Sequence, residues 1–374
     1  MSNMLDYIRW RGDLPFSVIP LGEVDGLILA QLSMIFWEKG MGRDESRPLS
    51  ELAQVLKGKT VSAGFTAKND ALLLEAAAAS ARFGGLVLSD FEHDFDEGAQ
   101  IQFAAVTFHL PDGDSFLSFR GTDSTLVGWK EDLSMSYEMP VPAQAAAAAY
   151  FARAAAHTGR RLYAGGHSKG GNLAMYAAAQ AGPDILKRII RVYNYDGPGF
   201  PDRGEAARLY ETIRDRLVSF VPQSSIIGML LAHPDGYEIV ESDSVSILQH
   251  DPYSWQIEGC RFVRSPMLTK DSLYIQSVIR RWLAEVDDEE RRLFVDTLFH
   301  VLGSTDARSF DREFWMGFLT RPGAVIASLQ DIDPNSRRRI GKMLADLGRA
   351  ALLEHEEKLM QALGLPVYTT PRDT

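Results

Sequence analysis

The stretch LYAGGHSKGGNLA, residues 162–174, constrains the fold more than any other part of the chain. A short apolar run ends in a turn with a pair of glycines on each side of one serine, Ser168, and a helix-like run follows at once. Residues 166–170 match the pattern G-x-S-x-G, which between a strand and a helix forms a nucleophile elbow. A phosphate loop is the other use of such a turn, but residues 165–171 contain neither G-K-[ST] nor G-x-G-x-x-G.

The elbow pattern has a steric and an electrostatic reason. A serine in so sharp a turn is held in strained backbone geometry with its hydroxyl above the sheet. The flanking glycines remove Cβ atoms that would collide with neighbouring backbone. The next helix directs its N–H groups and positive partial charge at the place where an oxyanion would develop. We therefore predict that Ser168 is an activated nucleophile.

Strand-like and helix-like patterns alternate around the elbow. The runs RLYAGG, IIRVYNYDG and VSFVPQSS are strand-like, and KGGNLAMYAAAQAG and GEAARLYETIRDRL between them are helix-like. This alternation predicts an α/β fold with a mostly parallel central sheet covered by helices. Upstream, IQFAAVTFHL and SFLSFRG flank PDGD and predict a hairpin. An amphipathic helix near 127–139 is predicted after it.

Both ends of the chain have a helical period. Residues 21–38 and 71–85 predict helices, and the period is helical from about 268 onward, with Ile340, Met343, Leu344 and Leu347 on one apolar face. We predict an N-terminal helical segment, 1–84, packed on an α/β-hydrolase core, 85–267. The C-terminal part, 268–374, is predicted to be a helical segment or cap.

Composition limits the partners of the chain. A net charge of −11 argues against nucleic acid or anionic membrane as partners. The one cysteine, Cys260, permits no intrachain disulfide, and the longest apolar stretch, 27–37, is shorter than the roughly 20 residues of a membrane span. No secretory signal is visible. We expect a cytoplasmic protein without stable membrane insertion, and the oligomeric state stays open.

Two residues are candidates for the oxyanion hole. In this fold the donors are the N–H of the residue after the nucleophile and an N–H from an earlier strand–loop. Lys169 and Thr122, which follows the strand-like SFLSFRG, fill these two positions. Thr122 or Asp123 could equally begin the next helix as a capping box.

The motifs FRGTD, GWKEDL and GGHSKGGNLA together resemble the class 3 (fungal-type) lipases. The further segments DYIRWRGDLPF, NYDGPGF and QHDPYSW resemble a bacterial family of lipase-like α/β hydrolases of unknown function, over roughly residues 5 to 260. The resemblance implies an α/β-hydrolase core and implies no particular substrate.

A serine nucleophile needs a base, and in this fold the base comes late in the chain. His250 ends an apolar run in a polar, proline-containing loop and is the preferred candidate. The segment AHPDG around His233 is typical of a surface turn. His300 and His355 lie in the helical C-terminal part and are expected to be ordinary surface or packing residues. His167 is expected to pack beneath the elbow.

The acid is predicted to be Asp196, at the carboxyl end of the strand after the nucleophile, where sites of parallel sheets lie. The class 3 lipases take their acid from the next strand, in a D-x-V-P-like segment. Here that segment is VSFVPQSSIIG, without an aspartate. Asp251, Asp235 and Asp243 remain alternatives, and Asp196 could simply form a turn into Gly197.

These residues predict a serine hydrolase that cleaves carboxylic esters through an acyl-enzyme, with Ser168, His250 and Asp196 as the triad. An acyltransferase or thioesterase would use the same residues, and a catalytically silent binding module on this scaffold is a further alternative. The expected partner is a small acyl ester, short to medium in chain length. Neither H-E-x-x-H nor paired cysteines are present, so no metal or cofactor is expected.

Overall fold

The computed structural model describes residues 2–303, apart from 97, 99, 123–125, 159, 202–203, 232 and 234–235. It also describes residues 334, 335, 338, 341, 342 and 345. The C-terminal segment is thus described as far as residue 303. The predicted apolar helix face at Ile340, Met343, Leu344 and Leu347 lies outside the described residues.

Helices and strands alternate along the central part of the chain. The strands are β1 (Arg47–Pro48), β2 (Val87–Asp96), β3 (Ile101–His109), β4 (Ser115–Phe119), β5 (Leu162–His167), β6 (Ile189–Tyr195), β7 (Leu217–Pro222), β8 (Glu238–Val240), β9 (Ile257–Glu258) and β10 (Arg261–Phe262). The α-helices are α1 (Met4–Arg11), α2 (Glu23–Leu32), α3 (Leu49–Leu56), α4 (Ala67–Ala79), α5 (Leu126–Ser134), α6 (Pro142–His157), α7 (Lys169–Ala179), α8 (Pro183–Leu186), α9 (Glu205–Ile213), α10 (Lys270–Glu285) and α11 (Asp288–Gly303).

Eight strands form one sheet in the order of the sequence, β1 to β8. The pairs from β1 to β4 are antiparallel, and the pairs from β4 to β8 are parallel. β9 and β10 form a separate two-stranded sheet. The predicted α/β class, with a mostly parallel sheet flanked by helices, is confirmed.

Each face of the sheet buries its own apolar core, because side chains alternate along a strand. Phe116 of β4 and Tyr193 of β6 pack with α1, α2, α3 and α4 on one face. Leu117 of β4 and Val192 of β6 pack with α6, α7 and α9 on the other. The N-terminal segment therefore covers one face of the sheet, and its β1 pairs with β2. The domain boundaries themselves stay a prediction.

The parallel strands bring four chain segments to one edge. Phe119 of β4 pairs with Gly166 of β5, His167 of β5 with Tyr195 of β6, and Tyr195 with Phe220 of β7. The residues that follow these strands therefore lie side by side at the carboxyl edge, where sites of open α/β sheets form.

The structure differs from the sequence expectations in three elements. The helix predicted over 71–85 begins at Ala67 and ends at Ala79. The helix predicted over 21–38 ends at Leu32, and a short 3-10 turn, Trp37–Lys39, follows. The helix predicted near 127–139 ends at Ser134.

No helix among the described residues combines the length and apolarity that crossing a membrane requires. Across the same part of the chain, no cluster of three or more His, Cys, Asp or Glu side chains is arranged to hold a metal ion.

Candidate active site

Ser168 occupies the sharp turn that the sequence predicts, between the end of β5 and the start of α7. Its φ of 57° lies in the left-handed region, and its N–H donates to the Tyr195 carbonyl at 2.9 Å. A Cβ at Gly166 would lie 2.3 Å from the backbone of Gly170, and one at Gly170 would lie 2.1 Å from the Phe119 carbonyl oxygen. Only glycine fits at these two positions, so the glycines make the turn possible.

Three predicted residues form one hydrogen-bonded chain. His250 Nε2 lies 2.9 Å from Ser168 Oγ, and His250 Nδ1 lies 2.7 Å from Asp196 Oδ2. The carboxylate accepts a hydrogen bond from the Nδ1–H group, which leaves Nε2 as the acceptor for the serine hydroxyl. Ser168 and Asp196 are buried, and 20% of the His250 side chain is exposed. The structure brings together side chains that are 28 and 54 positions apart in the chain.

Asp196 is held by hydrogen bonds with β7 and with the segment that follows this strand. Its N–H donates to the Phe220 carbonyl of β7 at 2.8 Å. Its Oδ1 accepts from Ser225 Oγ at 2.5 Å and from the Gly228 N–H at 3.2 Å. The segment after β7 therefore supplies hydrogen-bond donors to a carboxylate that comes from β6.

His167 lies against the His250 ring instead of pointing away beneath the elbow. The two ring centroids are 4.6 Å apart, and His167 Nε2 donates to the His250 carbonyl at 2.9 Å. Burial, together with the positive charge that His250 can carry, holds the pKa of His167 well below its usual value. His167 is therefore neutral and fixes the main chain of the loop that carries His250.

Thr122 and Lys169, the two candidates for the oxyanion hole, lie at the carboxyl edge of the sheet. A Cβ on Gly121, the residue before Thr122, would be 3.4 Å from Ser168 Cβ, so the loop after β4 passes beside the serine. Lys169 is the first residue of α7. The first N–H groups of a helix have no acceptor inside it. Both main chains are thus close to Ser168, as the sequence predicts.

A buried charged cluster beside this loop was not predicted. Lys169 Nζ donates to Glu131 Oε2 at 3.0 Å and to the side chain and carbonyl of Gln102 at 2.7 and 2.9 Å. Thr122 Oγ1 donates to Asp132 Oδ2 at 2.5 Å, and Asp132 Oδ1 lies 4.0 Å from Lys169 Nζ. The motif GWKEDL contained the signal, but the sequence predicted only an amphipathic helix for this stretch.

The Thr122 hydroxyl donates to Asp132 across ten residues, and the capping alternative stays a prediction. Asp123 lies outside the described residues. The hydroxyl hydrogen of Thr122 is engaged by the carboxylate, which leaves Thr122 its main-chain N–H as a donor for an oxyanion.

The other candidates lie elsewhere. The His233 carbonyl accepts from the Gly236 N–H at 3.2 Å, as in a turn, and the partly buried ring of His233 contacts the Gly228 carbonyl through Nε2. Asp251 accepts from the Tyr253 N–H at 3.0 Å, and Asp243 accepts from Gln256 Nε2 at 2.8 Å. Asp235 and His355 lie outside the described residues, as does the His300 side chain.

Asp132 should make stability depend on pH. Burial raises its pKa from 3.8 to about 6, against the opposing effects of Lys169 and Thr122. The folded state then binds the proton more tightly than the unfolded state, so the unfolding free energy falls as pH rises from about 4 to 6, by about 3 kcal/mol. The measurement is the unfolding free energy of Asp132→Asn and of wild type in urea, at pH 4 and at pH 7. We expect the difference between variant and wild type to change by that amount in favour of the variant over this range.

The control for this experiment is Asp184→Asn, which removes an almost fully exposed carboxylate. Parallel stability–pH curves for Asp132→Asn and wild type would show that the Asp132 carboxyl has the same pKa in the folded and in the unfolded protein. That result would contradict the prediction.

A comparison with family models agrees with the family resemblance that the motifs indicate. A family model described as Mbeg1-like matches residues 77–300, more than half of the chain. Among solved structures, the crystal structure of M37 lipase matches with 12% identity and a TM-score of 0.35, over 92% of this chain and 96% of the lipase chain. At this identity and TM-score the lipase adds nothing to the argument about function. No curated protein matches the chain.

Proposed function

The chain belongs to the Mbeg1-like family, and we propose that it is a serine hydrolase that cleaves carboxylic esters through an acyl-enzyme. One observation carries the proposal: Ser168, His250 and Asp196 form a continuous hydrogen-bonded chain of 2.9 and 2.7 Å at the carboxyl edge of the sheet. A serine with a base, and a base oriented by a carboxylate, is the arrangement that activates a hydroxyl for acyl transfer.

In the first step Ser168 Oγ attacks the acyl carbonyl while His250 Nε2 takes the hydroxyl proton. Asp196 keeps the imidazole in the tautomer with hydrogen on Nδ1 and stabilises the imidazolium that forms. The N–H groups of Thr122 and Lys169 bind the oxyanion. His250 then returns the proton to the leaving alcohol, and an acyl-enzyme remains on Ser168.

In the second step water attacks the acyl-enzyme. His250 Nε2 accepts a proton from that water, the same two N–H groups bind the second oxyanion, and the proton returns to Ser168 Oγ as the carboxylic acid leaves. An alcohol or thiol acceptor would make the same site an acyltransferase. The aligned base and acid favour an enzyme over a silent binding module, since a binding surface gains nothing from such an alignment.

We propose a short-to-medium acyl ester as substrate. The net charge of −11 opposes approach to an anionic lipid surface, because like charges repel. A cytoplasmic location and the absence of stable membrane insertion remain predictions that go with this substrate.

A chain-length series of p-nitrophenyl esters tests the proposal. We expect hydrolysis with a maximum at short to medium acyl chains and no increase in rate when the substrate exceeds its solubility limit. Ser168→Ala, measured on the same series, gives the background of each ester. A maximum at the longest chains with a jump at the emulsion boundary would instead indicate a lipase that acts on lipid surfaces.

A further inference from the structure

Asp70, on α4 of the N-terminal segment, is a fully buried carboxylate. Its Oδ1 accepts from Gln31 Nε2 at 2.7 Å and from the Tyr253 hydroxyl at 2.8 Å. Its Oδ2 accepts from Ser62 Oγ at 2.6 Å and from Thr66 Oγ1 at 2.9 Å. Burial raises the pKa of Asp70, and these neutral donors oppose that shift. Hydrogen bonds from four side chains are therefore what makes a carboxylate tolerable at this position.

One of the four donors belongs to the loop that carries the proposed base. Tyr253 lies three residues after His250, in the second of two short 3-10 turns, Ser246–His250 and Pro252–Ser254. It is 5% exposed. Asp251 separates the two turns and belongs to neither. Backbone contacts close the two ends of this loop, with Ser242 paired to Trp255 and the Asp243 N–H donating to the Ser254 carbonyl at 2.8 Å. Between these ends the chain is not paired in a strand, so the position of His250 depends on side-chain anchors.

Other side-chain contacts also hold this loop, but they connect it to elements different from the one that carries Asp70. Trp255 Nε1 donates to the Gln249 carbonyl at 2.9 Å, and Gln249 Oε1 accepts from the Ser224 N–H at 2.8 Å. His167 holds the His250 carbonyl from the elbow. These contacts tie the loop to itself and to the sheet edge, whereas Tyr253 ties it to the N-terminal segment.

We propose that Asp70 is a positioning residue: through Tyr253 it holds the His250 imidazole at hydrogen-bond distance from Ser168 Oγ, an inference that rests on the esterase function proposed above. The N-terminal segment is then part of the catalytic arrangement as well as a cover of the sheet. The same segment also holds the loop after β4, since Arg120 donates to the carbonyls of Ser33 and Ile35 at 2.7 and 2.6 Å.

The experiment compares two tyrosine-to-phenylalanine variants. Tyr253→Phe removes the hydroxyl that binds Asp70. Tyr7→Phe removes an equally buried hydroxyl of the N-terminal segment that donates to Asp25 at 2.9 Å and does not touch the histidine loop. Each variant loses one buried tyrosine–aspartate hydrogen bond, so a general loss of stability affects both. Ester hydrolysis is measured well below the unfolding temperature of either variant.

We expect Tyr253→Phe to lower kcat on the order of tenfold with KM unchanged, because small misplacements of a reacting group cost rate without costing substrate binding. Tyr7→Phe should keep the wild-type kcat. In proton NMR, the downfield resonance of the His250 Nδ1 hydrogen, which is bonded to Asp196, should be sharp in wild type and Tyr7→Phe and broadened in Tyr253→Phe.

Equal kcat values for the two variants, with an unchanged His250 resonance in both, would overturn the positioning proposal while leaving the esterase intact. If wild type neither hydrolyses esters nor reacts at Ser168, the proposed function fails, and the NMR comparison alone then decides whether Asp70 positions His250.

Discussion

Replacing Ser168 by alanine is expected to lower the hydrolysis of short p-nitrophenyl esters on the order of 10⁶-fold, the loss that follows removal of a triad nucleophile. The hydroxyl that forms the acyl-enzyme is absent, and the oxyanion N–H groups alone leave only a small residual rate. The measurement is kcat on a soluble ester, compared with the rate in buffer.

The fold of Ser168→Ala should be intact, because alanine keeps the Cβ and the strained φ of 57° and the turn is shaped by its glycines. Unfolding curves that coincide with wild type establish this point. A folded Ser168→Ala variant with wild-type activity would remove Ser168 from the mechanism altogether.

Loss of the base or the acid should be the next largest effect. We expect His250→Ala to lose nearly as much as Ser168→Ala, since no other group reaches Ser168 Oγ among the contacts of the described residues. Asp196→Asn should lose about 10⁴-fold, because an amide favours the wrong imidazole tautomer. Both values come from kcat/KM on one soluble ester.

The chain offers matched controls for both variants. His157 Nδ1 pairs with Asp90 Oδ1 at 2.9 Å, so His157→Ala breaks a histidine–aspartate pair on the far part of the sheet. Asp243→Asn and Asp251→Asn remove the described carboxylates that the sequence left as alternative acids. Wild-type activity in Asp196→Asn, with a loss in either of these, would reassign the acid and leave the nucleophile and the base in place.

The sequence predicted the fold class and the turn that holds the candidate nucleophile, because both depend on local patterns. The G-x-S-x-G pattern lies within five residues, although the glycines also make room for the neighbouring strand at the Phe119 carbonyl. Strand–helix alternation requires a parallel sheet. Once the sheet is parallel, Ser168 and Asp196 must share its carboxyl edge. Placing His250 there needed only the knowledge that the base follows the nucleophile in the chain.

The buried groups around these residues could not be predicted from the sequence. Glu131 and Asp132 have the spacing of an ordinary polar helix face, and only the packing of α5 against Lys169 and Thr122 makes them part of the site. Asp70 and Tyr253 are 183 positions apart, and no local pattern links them. Contacts of this kind follow from how distant elements pack.

Covalent labelling of wild-type protein by a fluorophosphonate, mapped by mass spectrometry of its peptides, tests the central claim most directly, because such probes react with activated serines and leave ordinary ones unmodified. We predict stoichiometric phosphonylation of Ser168 in folded protein, strongly slowed labelling in His250→Ala and none in Ser168→Ala. Folded wild-type protein that stays unlabelled at Ser168, or that is labelled at another serine, would contradict the account.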